Sequence, residues 1–395
     1  MSDYSFLVAH ALAASGDNVH VWAPECGQDK PPAAPRTDKS TEEPAVSRLP
    51  GRFGVQALAV LGRELKRTPG QVIVQYVPHA FGYNAMNLAF SAWLFAHGKY
   101  DISIMFHEVA CPISLEQPLG RSIQGAVHRV MALLVARHAT RVFVATPAWA
   151  KLLKPVLRKG QSVSWLPVPS NIPVVDDSDG IASLRKRYAP RGGALLGHFG
   201  TFETSIATML SRSLSVVLCE DRVSSALLIG RGGEVIGDLL VRKNPELADR
   251  IQATGAIGAA DLSRHLSACD VMVQPYPDGI TSRRGTLMAC LAHGRPVVST
   301  VGQLSEPLWS ATDALVCVPV NDVAALTSEL QRVLNDSGKR WRMTTAAAKL
   351  YSHCFDLRHT IAGLRGIDGE EQATRHERAT NPVAELSEPI HSPPS

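Results

Sequence analysis

Arg283 and Arg284 stand side by side between an apolar run, Val271–Gln274, and a helical stretch, Gly285–Ala292. A helix start presents free N–H groups and the positive end of its dipole, which favours phosphate. Two planar guanidinium forks add bidentate contacts and can stabilise a departing diphosphate. The plainer alternative is a salt bridge at the surface or between domains. Gly197-His198-Phe199-Gly200-Thr201 follows another apolar run, and its glycines would let the backbone come close to a pyrophosphate. This is not the dinucleotide-binding G-x-G-x-x-G, because the third glycine is absent, and a tight strand-to-helix turn would explain the glycines equally well.

His107-Glu108 follows Ile102–Phe106, at the carboxyl end of a strand, where ligands of open parallel sheets collect. A histidine there can bond a ligand hydroxyl or polarise a reacting centre, with Glu108 orienting it or binding a second substrate. The alternative is a capping pair at a helix start. His79 lies in an aromatic and polar loop, Tyr76 to Asn84, of the kind that lines ligand sites, though a satisfied structural histidine fits as well. Asp270 reads as the end of a strand or a cap for a neighbour. The stretch holding Arg121, His128, Arg129 and Arg137 has a basic side and an apolar side; ordinary amphipathic packing explains it, and membrane contact is the alternative.

These residues need a scaffold, and the apolar pattern supplies one. Short β-branched runs at Val19–Ala23, Gln71–Val77, Ile102–Phe106, Arg141–Ala145 and Ser162–Pro167 alternate with helical stretches. After a polar break come Ala194–Gly197, Ala226–Ile229, Val271–Gln274, Pro296–Ser299 and Ala314–Val318. Runs apolar on both sides belong to buried parallel strands, so the fold class is α/β with two Rossmann-like domains facing a central cleft. The expected boundaries are 1–173 for the first domain, 174–193 for an interdomain linker, 194–365 for the second domain and 366–395 for a disordered acidic tail. Residues 25–50, rich in Pro, Lys, Asp and Thr, read as a surface loop.

Composition sets further bounds. The 395 residues are 45% apolar and 19% charged, which excludes collagen-like, coiled-coil and wholly disordered chains. The net charge of +4 is uneven: from Gly366 onward there are two basic and six acidic residues, leaving 38 and 30 in the body. A mildly basic body suits phosphate-bearing ligands, and no basic run with interleaved aromatics argues for nucleic acid. Seven cysteines without C-x-x-C pairs fit reduced, mostly buried thiols rather than disulfides or a metal site. The start has no signal-peptide pattern, and no apolar run approaches the roughly 20 residues of a membrane span. A cytoplasmic protein is expected, with peripheral contact at the inner face of a membrane as the further expectation.

Three stretches carry a family resemblance: Asp3-Tyr4-Ser5 with its helix, running on to Ser15-Gly16-Asp17-Asn18-Val19-His20-Val21-Trp22; Gly197-His198-Phe199-Gly200-Thr201-Phe202; and Cys269-Asp270-Val271-Met272-Val273-Gln274-Pro275-Tyr276-Pro277-Asp278-Gly279 with Leu291-Ala292-His293-Gly294-Arg295-Pro296. Together they resemble glycosyltransferase family 4 on the GT-B fold, over roughly Met1 to Leu364. The resemblance implies a retaining, metal-independent transfer, with no cofactor, from a nucleotide-diphosphate sugar to a glycan, lipid-linked or small-molecule acceptor in bacterial polysaccharide or glycoconjugate synthesis. It puts His107, Glu108, Arg283 and Arg284 at the reacting centre. Gly197, His198, Phe199, Gly200, Thr201, Arg231, Asp278, Gly279, Thr281, Ser282 and Glu306 fall on the donor side; Asp3, Tyr4, His79 and Asn84 fall on the acceptor side.

Two departures accompany the likeness. A first strand and a glycine-rich loop usually precede the Asp-Tyr helix, so the first domain is expected to lack that strand or to have a segment ahead of it. The family's glutamate pair falls on Thr281 and Ala289. That loss keeps open a catalytically degenerate binding or scaffold protein. A dehydrogenase lacks its glycine motif, and the second-domain motifs suit a nucleotide-sugar epimerase less well.

Overall fold

The computed structural model describes residues 2–25, 43–111, 113 and 118–366. Cys26, residues 26–42 of the expected loop and the acidic tail from residue 367 lie outside the described residues. The chain divides into two compact units, residues 2–167 with 357–366, and Val168–Asp356.

The first unit runs α1 (Ser2–Ala14), β1 (His20–Pro24), β2 (Ala45–Leu49), α2 (Val55–Arg67), β3 (Val72–Tyr76), α3 (Leu88–Ala96), β4 (Ile102–Phe106), α4 (Leu119–Arg137), β5 (Arg141–Val144), α5 (Pro147–Leu153) and β6 (Val163–Trp165). Four strands pair in parallel in the order β3-β4-β5-β6, with Tyr76 opposite Phe106 and Phe106 opposite Val144. Every residue of β4 is buried, as expected for a strand covered on both faces. Among the described residues β1 and β2 form a separate two-stranded parallel sheet, so the strands of this unit do not make one continuous sheet. The loop reading of residues 25–50 is corrected here, because 45–49 is a strand. Its Ser47 and Arg48 are tolerated because β2 is an edge with most residues only partly covered.

The second unit continues with α6 (Ser178–Tyr188), β7 (Leu195–Phe199), α7 (Thr204–Glu220), β8 (Ser225–Ile229), α8 (Gly233–Lys243), β9 (Ile251–Gly255), α9 (Ala259–Ala268), β10 (Val271–Gln274), α10 (Gly285–Ala292), β11 (Val297–Val301), β12 (Leu315–Pro319), α11 (Val323–Asn335) and α12 (Ser337–Leu350). Its six parallel strands lie in the order β12-β11-β10-β7-β8-β9. Leu196, Leu228, Val271, Val273 and Val298 from the sheet pack with Leu210, Leu218, Leu240 and Leu330 from the helices in one buried core.

Residues 174–193 are not simply a linker. Asp177 caps α6 by accepting from Gly180 N at 2.9 Å, and its carboxylate also meets Arg264 Nε of α9 at 2.6 Å. The acid-rich turn is thus a helix start. Likewise α13 (Leu357–Arg365) packs with the first unit, where Gln71 donates to Leu364 O and Arg365 pairs with Asp17, rather than with residues 194–356.

Candidate functional site

In the second unit β7 pairs with β8 on one side and with β10 on the other, so successive connections leave in opposite directions from the β7–β10 pair. That is a topological switch point, where a crevice opens beyond the carboxyl ends of the strands. Three loops arrive there: 200–203 after β7, 230–232 after β8 and 275–284 after β10. Gly200 N donates to Ile229 O at 3.2 Å, and a Cβ on Gly230 (φ 124°) would stand 2.6 Å from Gly200 O. Only glycine allows these two loops to touch. A Cβ on Gly200 would meet Thr286 Cγ2 at 3.4 Å, so the first loop also abuts the first turn of α10.

The loop after β10 gathers the charge. Asp278 bridges both arginines, reaching Arg283 Nη2 at 3.1 Å and Arg284 Nη2 in a shorter contact. The Arg284 guanidinium lies over the Tyr276 ring, 4.7 Å from its centroid, and the Tyr276 hydroxyl pairs with Thr286 Oγ1 at 2.9 Å. Burial raises the Tyr276 phenol well above its ordinary value, so it stays neutral. Arg284 Nε and Thr281 Oγ1 are buried with no hydrogen-bond partner among the described residues. Buried donors left unmet are costly, and a ligand oxygen meeting the part-exposed Arg284 would satisfy its Nε, whereas Thr281 is closed in by protein. Gly279 (φ 89°) packs so tightly on the Gly302 nitrogen that a Cβ would overlap it.

Several expected contacts turn inward instead. Gly197 lies within β7, and a Cβ there would stand 2.6 Å from both Cys269 Sγ and Met272 Sδ. Its smallness serves helix–sheet packing, not approach to a phosphate. His198 is buried and bonds Val273 O through Nδ1 at 2.7 Å, and burial lowers its proton affinity. Phe199 ends the strand, and Thr201 is exposed on the loop. Glu306 is 4% exposed; it accepts from Ser282 N (3.0 Å), Ser282 Oγ (2.5 Å) and Trp309 Nε1 (2.5 Å), which anchors the segment leading to the arginines. Its carboxylate is therefore a brace rather than a free donor contact, and Ser282 is consumed with it. Thr281 is fully enclosed, as is Ala289. Arg231 is exposed ahead of α8. Asp270 fastens α6 and β7, accepting from Arg185 Nη1 and Leu195 N.

In the first unit the structure joins Tyr4 to His107. The two rings meet edge-on with centroids 4.6 Å apart, although the residues are about a hundred positions apart in sequence. Tyr4 Oη is buried without a partner among the described residues. His107 is 9% exposed; burial lowers its pKa to about 3, so the imidazole is neutral. Its Nε2 meets Gln75 Oε1 at 2.8 Å, and Trp149 Nε1 donates to its carbonyl at 3.0 Å. Glu108 faces His79 (3.9 Å), both part exposed, rather than orienting His107. Asn84 holds φ 52° and accepts from Gln124 through its carbonyl. Asp3 is exposed in the first turn of α1.

Sequence reasoning missed Tyr276, Thr286, Gln75 and Trp149. Tyr276 and Trp149 each follow a strand within five residues, which was a usable signal; Gln75 lies inside an apolar strand and gave none. Among the described residues no group of three His, Cys, Asp or Glu side chains is placed to hold a metal ion, and no helix is long and apolar enough to cross a membrane. Of the cysteines, 269, 290 and 354 are buried, 111 and 317 are part covered and 219 is exposed; burial pushes the Cys290 and Cys317 thiols up to about 12.

With this geometry the fold is GT-B, the class shared by a large group of sugar-transferring enzymes. Residues 195–336, within the second unit, match the family model described as "Glycosyl transferases group 1". Among solved structures the chain is similar to sucrose-phosphate synthase from Thermosynechococcus elongatus (TM-score 0.69, 16% identity, covering 94% of this chain and 93% of that one). It is also similar to Anabaena HepE in complex with UDP-glucose (TM-score 0.64, 15% identity, 92% and 94% covered). A third is WaaG, a glycosyltransferase involved in lipopolysaccharide biosynthesis (TM-score 0.62, 15% identity, 93% and 95% covered). No curated protein matches the chain.

Proposed function

We propose that this chain is a retaining glycosyltransferase of family 4 that moves a sugar from a nucleotide-diphosphate donor to a glycan or lipid-linked acceptor in polysaccharide or glycoconjugate synthesis. The observation that carries the reading is the Tyr276–Asp278–Arg283–Arg284 cluster at the start of α10, with Arg284 Nε unmet, at the β7–β10 switch point. Arginines and the α10 dipole hold the diphosphate and stabilise it as the glycosidic bond to the donor breaks. Gly200, Gly230 and Thr201 offer backbone to the phosphates, and Arg231 is a further exposed cation. Tyr4 and His107, with His79, Glu108, Asn84 and Asp3, serve the acceptor side and the sugar hydroxyls. HepE binding UDP-glucose supports a UDP-sugar donor. The test is transfer and donor hydrolysis by the purified chain over UDP-, GDP- and ADP-sugars. Arg283→Ala/Arg284→Ala should abolish or strongly reduce turnover, and full activity in that double variant overturns the assignment.

Docking on an anionic lipid surface is part of the proposal. The adjoining helices α3 and α4 contain no Asp or Glu, carry Arg121, Arg129 and Arg137, and expose Leu88, Phe95, Leu119, Ile123 and Val130. A second reading, a donor-binding protein without turnover, is favoured by Thr281 and Ala289 at the glutamate positions, both buried, and by Glu306 being spent internally. Tight nucleotide-sugar binding without turnover for every donor would select it.

A further inference from the structure

We propose that Gln75 is a positioning residue: its side-chain carbonyl fixes His107 in the Nε2–H form and so presents Nδ1 as a hydrogen-bond acceptor for a sugar hydroxyl. The proposal rests on His107 serving the transfer reaction argued above.

The two residues are brought together by register. Tyr76 of β3 lies opposite Phe106 of β4, and Tyr76 O accepts from His107 N at 3.0 Å, which sets Gln75 and His107 on neighbouring strand ends. The 2.8 Å contact joins His107 Nε2 to Gln75 Oε1. An amide oxygen only accepts, so the ring nitrogen facing it must carry the hydrogen. In a neutral imidazole the other nitrogen then keeps its lone pair. The ring has little freedom to turn this around. Its backbone is held at both ends, by Tyr76 O and by Trp149 Nε1, and Tyr4 stands edge-on against one side at an interplanar angle of 79°.

An amide in this place has a different consequence from a carboxylate. A carboxylate would stabilise the imidazolium, turning Nδ1 into a donor and His107 into an acid. Gln75 brings no charge, and burial, the largest cause, with the positive N-terminus acting in the same direction, keeps the ring neutral. His107 therefore accepts an O–H bond without taking the proton, which stays on the sugar. The arrangement orients a hydroxyl and performs no acid–base step.

The test combines side-chain 15N NMR of histidine in the full chain with steady-state transfer. The His107 signals are identified by their loss in His107→Gln. The wild type should show a single Nε2–H tautomer near neutral pH. Gln75→Leu should give mixed tautomers and a fall in kcat/KM of about tenfold, as for loss of one well-placed hydrogen bond. Gln75→Glu should restore the Nε2–H form at high pH, raise the imidazole's titration and recover transfer only on the alkaline side. A wild-type Nδ1–H tautomer, or a spectrum unchanged in Gln75→Leu, overturns the proposal. Altered tautomers with unchanged transfer also overturn it, and place His107 outside the reaction. A chain with no transfer from any donor defeats the glycosyltransferase reading while the NMR still reports on Gln75.

Discussion

The Arg284 guanidinium rests on the face of Tyr276, 4.7 Å from the ring centroid, and the same tyrosine bonds Thr286 of α10 through its hydroxyl. One aromatic side chain thus ties the strand exit, the arginine and the helix start into a single unit. Cation–π contacts of this kind are worth about 1 kcal/mol when partly desolvated, or roughly fivefold in a dissociation constant. Tyr276→Leu should weaken UDP binding by about that factor, measured by calorimetry. Tyr276→Phe keeps the ring and should lose less. Equal losses in both variants would assign the effect to the hydroxyl instead.

Asp278 holds the two arginines with a charge of the sign the donor would bring. A diphosphate must compete with it, because both accept from the same guanidinium N–H groups. Asp278→Asn should therefore bind inorganic diphosphate severalfold more tightly than the wild type, with a steeper loss on adding salt. Weaker binding would mean that the carboxylate acts chiefly to aim the arginines.

The glycines separate by what surrounds them. A methyl at Gly197 would collide with Cys269 and Met272, whereas one at Gly120, exposed in the first turn of α4, meets nothing within 4 Å. Overpacking costs about 1–3 kcal/mol, and glycine inside a helix costs up to about 1 kcal/mol relative to alanine. Thermal melts should show Gly197→Ala destabilised and Gly120→Ala unchanged or stabilised. A neutral Gly197→Ala would restore a backbone-approach role for that residue.

What the sequence disclosed follows from where the information lies. Strands such as β4 and β10 are covered on both faces, so their apolar runs were plain. Strands β2 and β9 lie at sheet edges, mix polar residues into half-covered positions, and went unread. The Asp176–Gly180 run looked like a linker because an N-cap and a turn share the same residues, and only the Arg264 partner distinguishes them. Arg283 and Arg284 were legible because adjacent arginines at a helix start are a local pattern. The inward turn of Glu306 was not, since it depends on Ser282 and Trp309 being brought to it by the fold.

Acid should find a weak point at His107. Its folded pKa, about 3, lies below the unfolded value near 6.5. As pH falls through 6.5 the unfolded chain gains a proton that the folded chain does not, so folding stability drops until about pH 3. Each pH unit inside that window costs at most about 1.4 kcal/mol from this residue. His198 and His293, also lowered by burial, act in the same direction. Urea titrations at pH 7 and pH 5 should show His107→Gln losing less stability on acidification than the wild type. Parallel losses would show that His107 protonates without unfolding.

The α3–α4 face makes the most external claim. Leu88 and Phe95 on α3, with Leu119, Ile123 and Val130 on α4, are exposed apolar side chains on two helices that pack together and lack any acidic residue. Water is a poor environment for such a surface, and a headgroup layer offers both an apolar boundary and anionic partners. The chain should sediment with vesicles containing anionic lipid and much less with zwitterionic ones. Added salt should release it, since each arginine near an anionic surface contributes about 1 kcal/mol that screening removes. Ile123→Ser/Val130→Ser should reduce sedimentation while leaving turnover of a water-soluble acceptor intact. Sedimentation indifferent to lipid charge, to salt and to that variant would discard the lipid surface, and dimers that dissociate in the same variant would assign the face to a second copy of the chain.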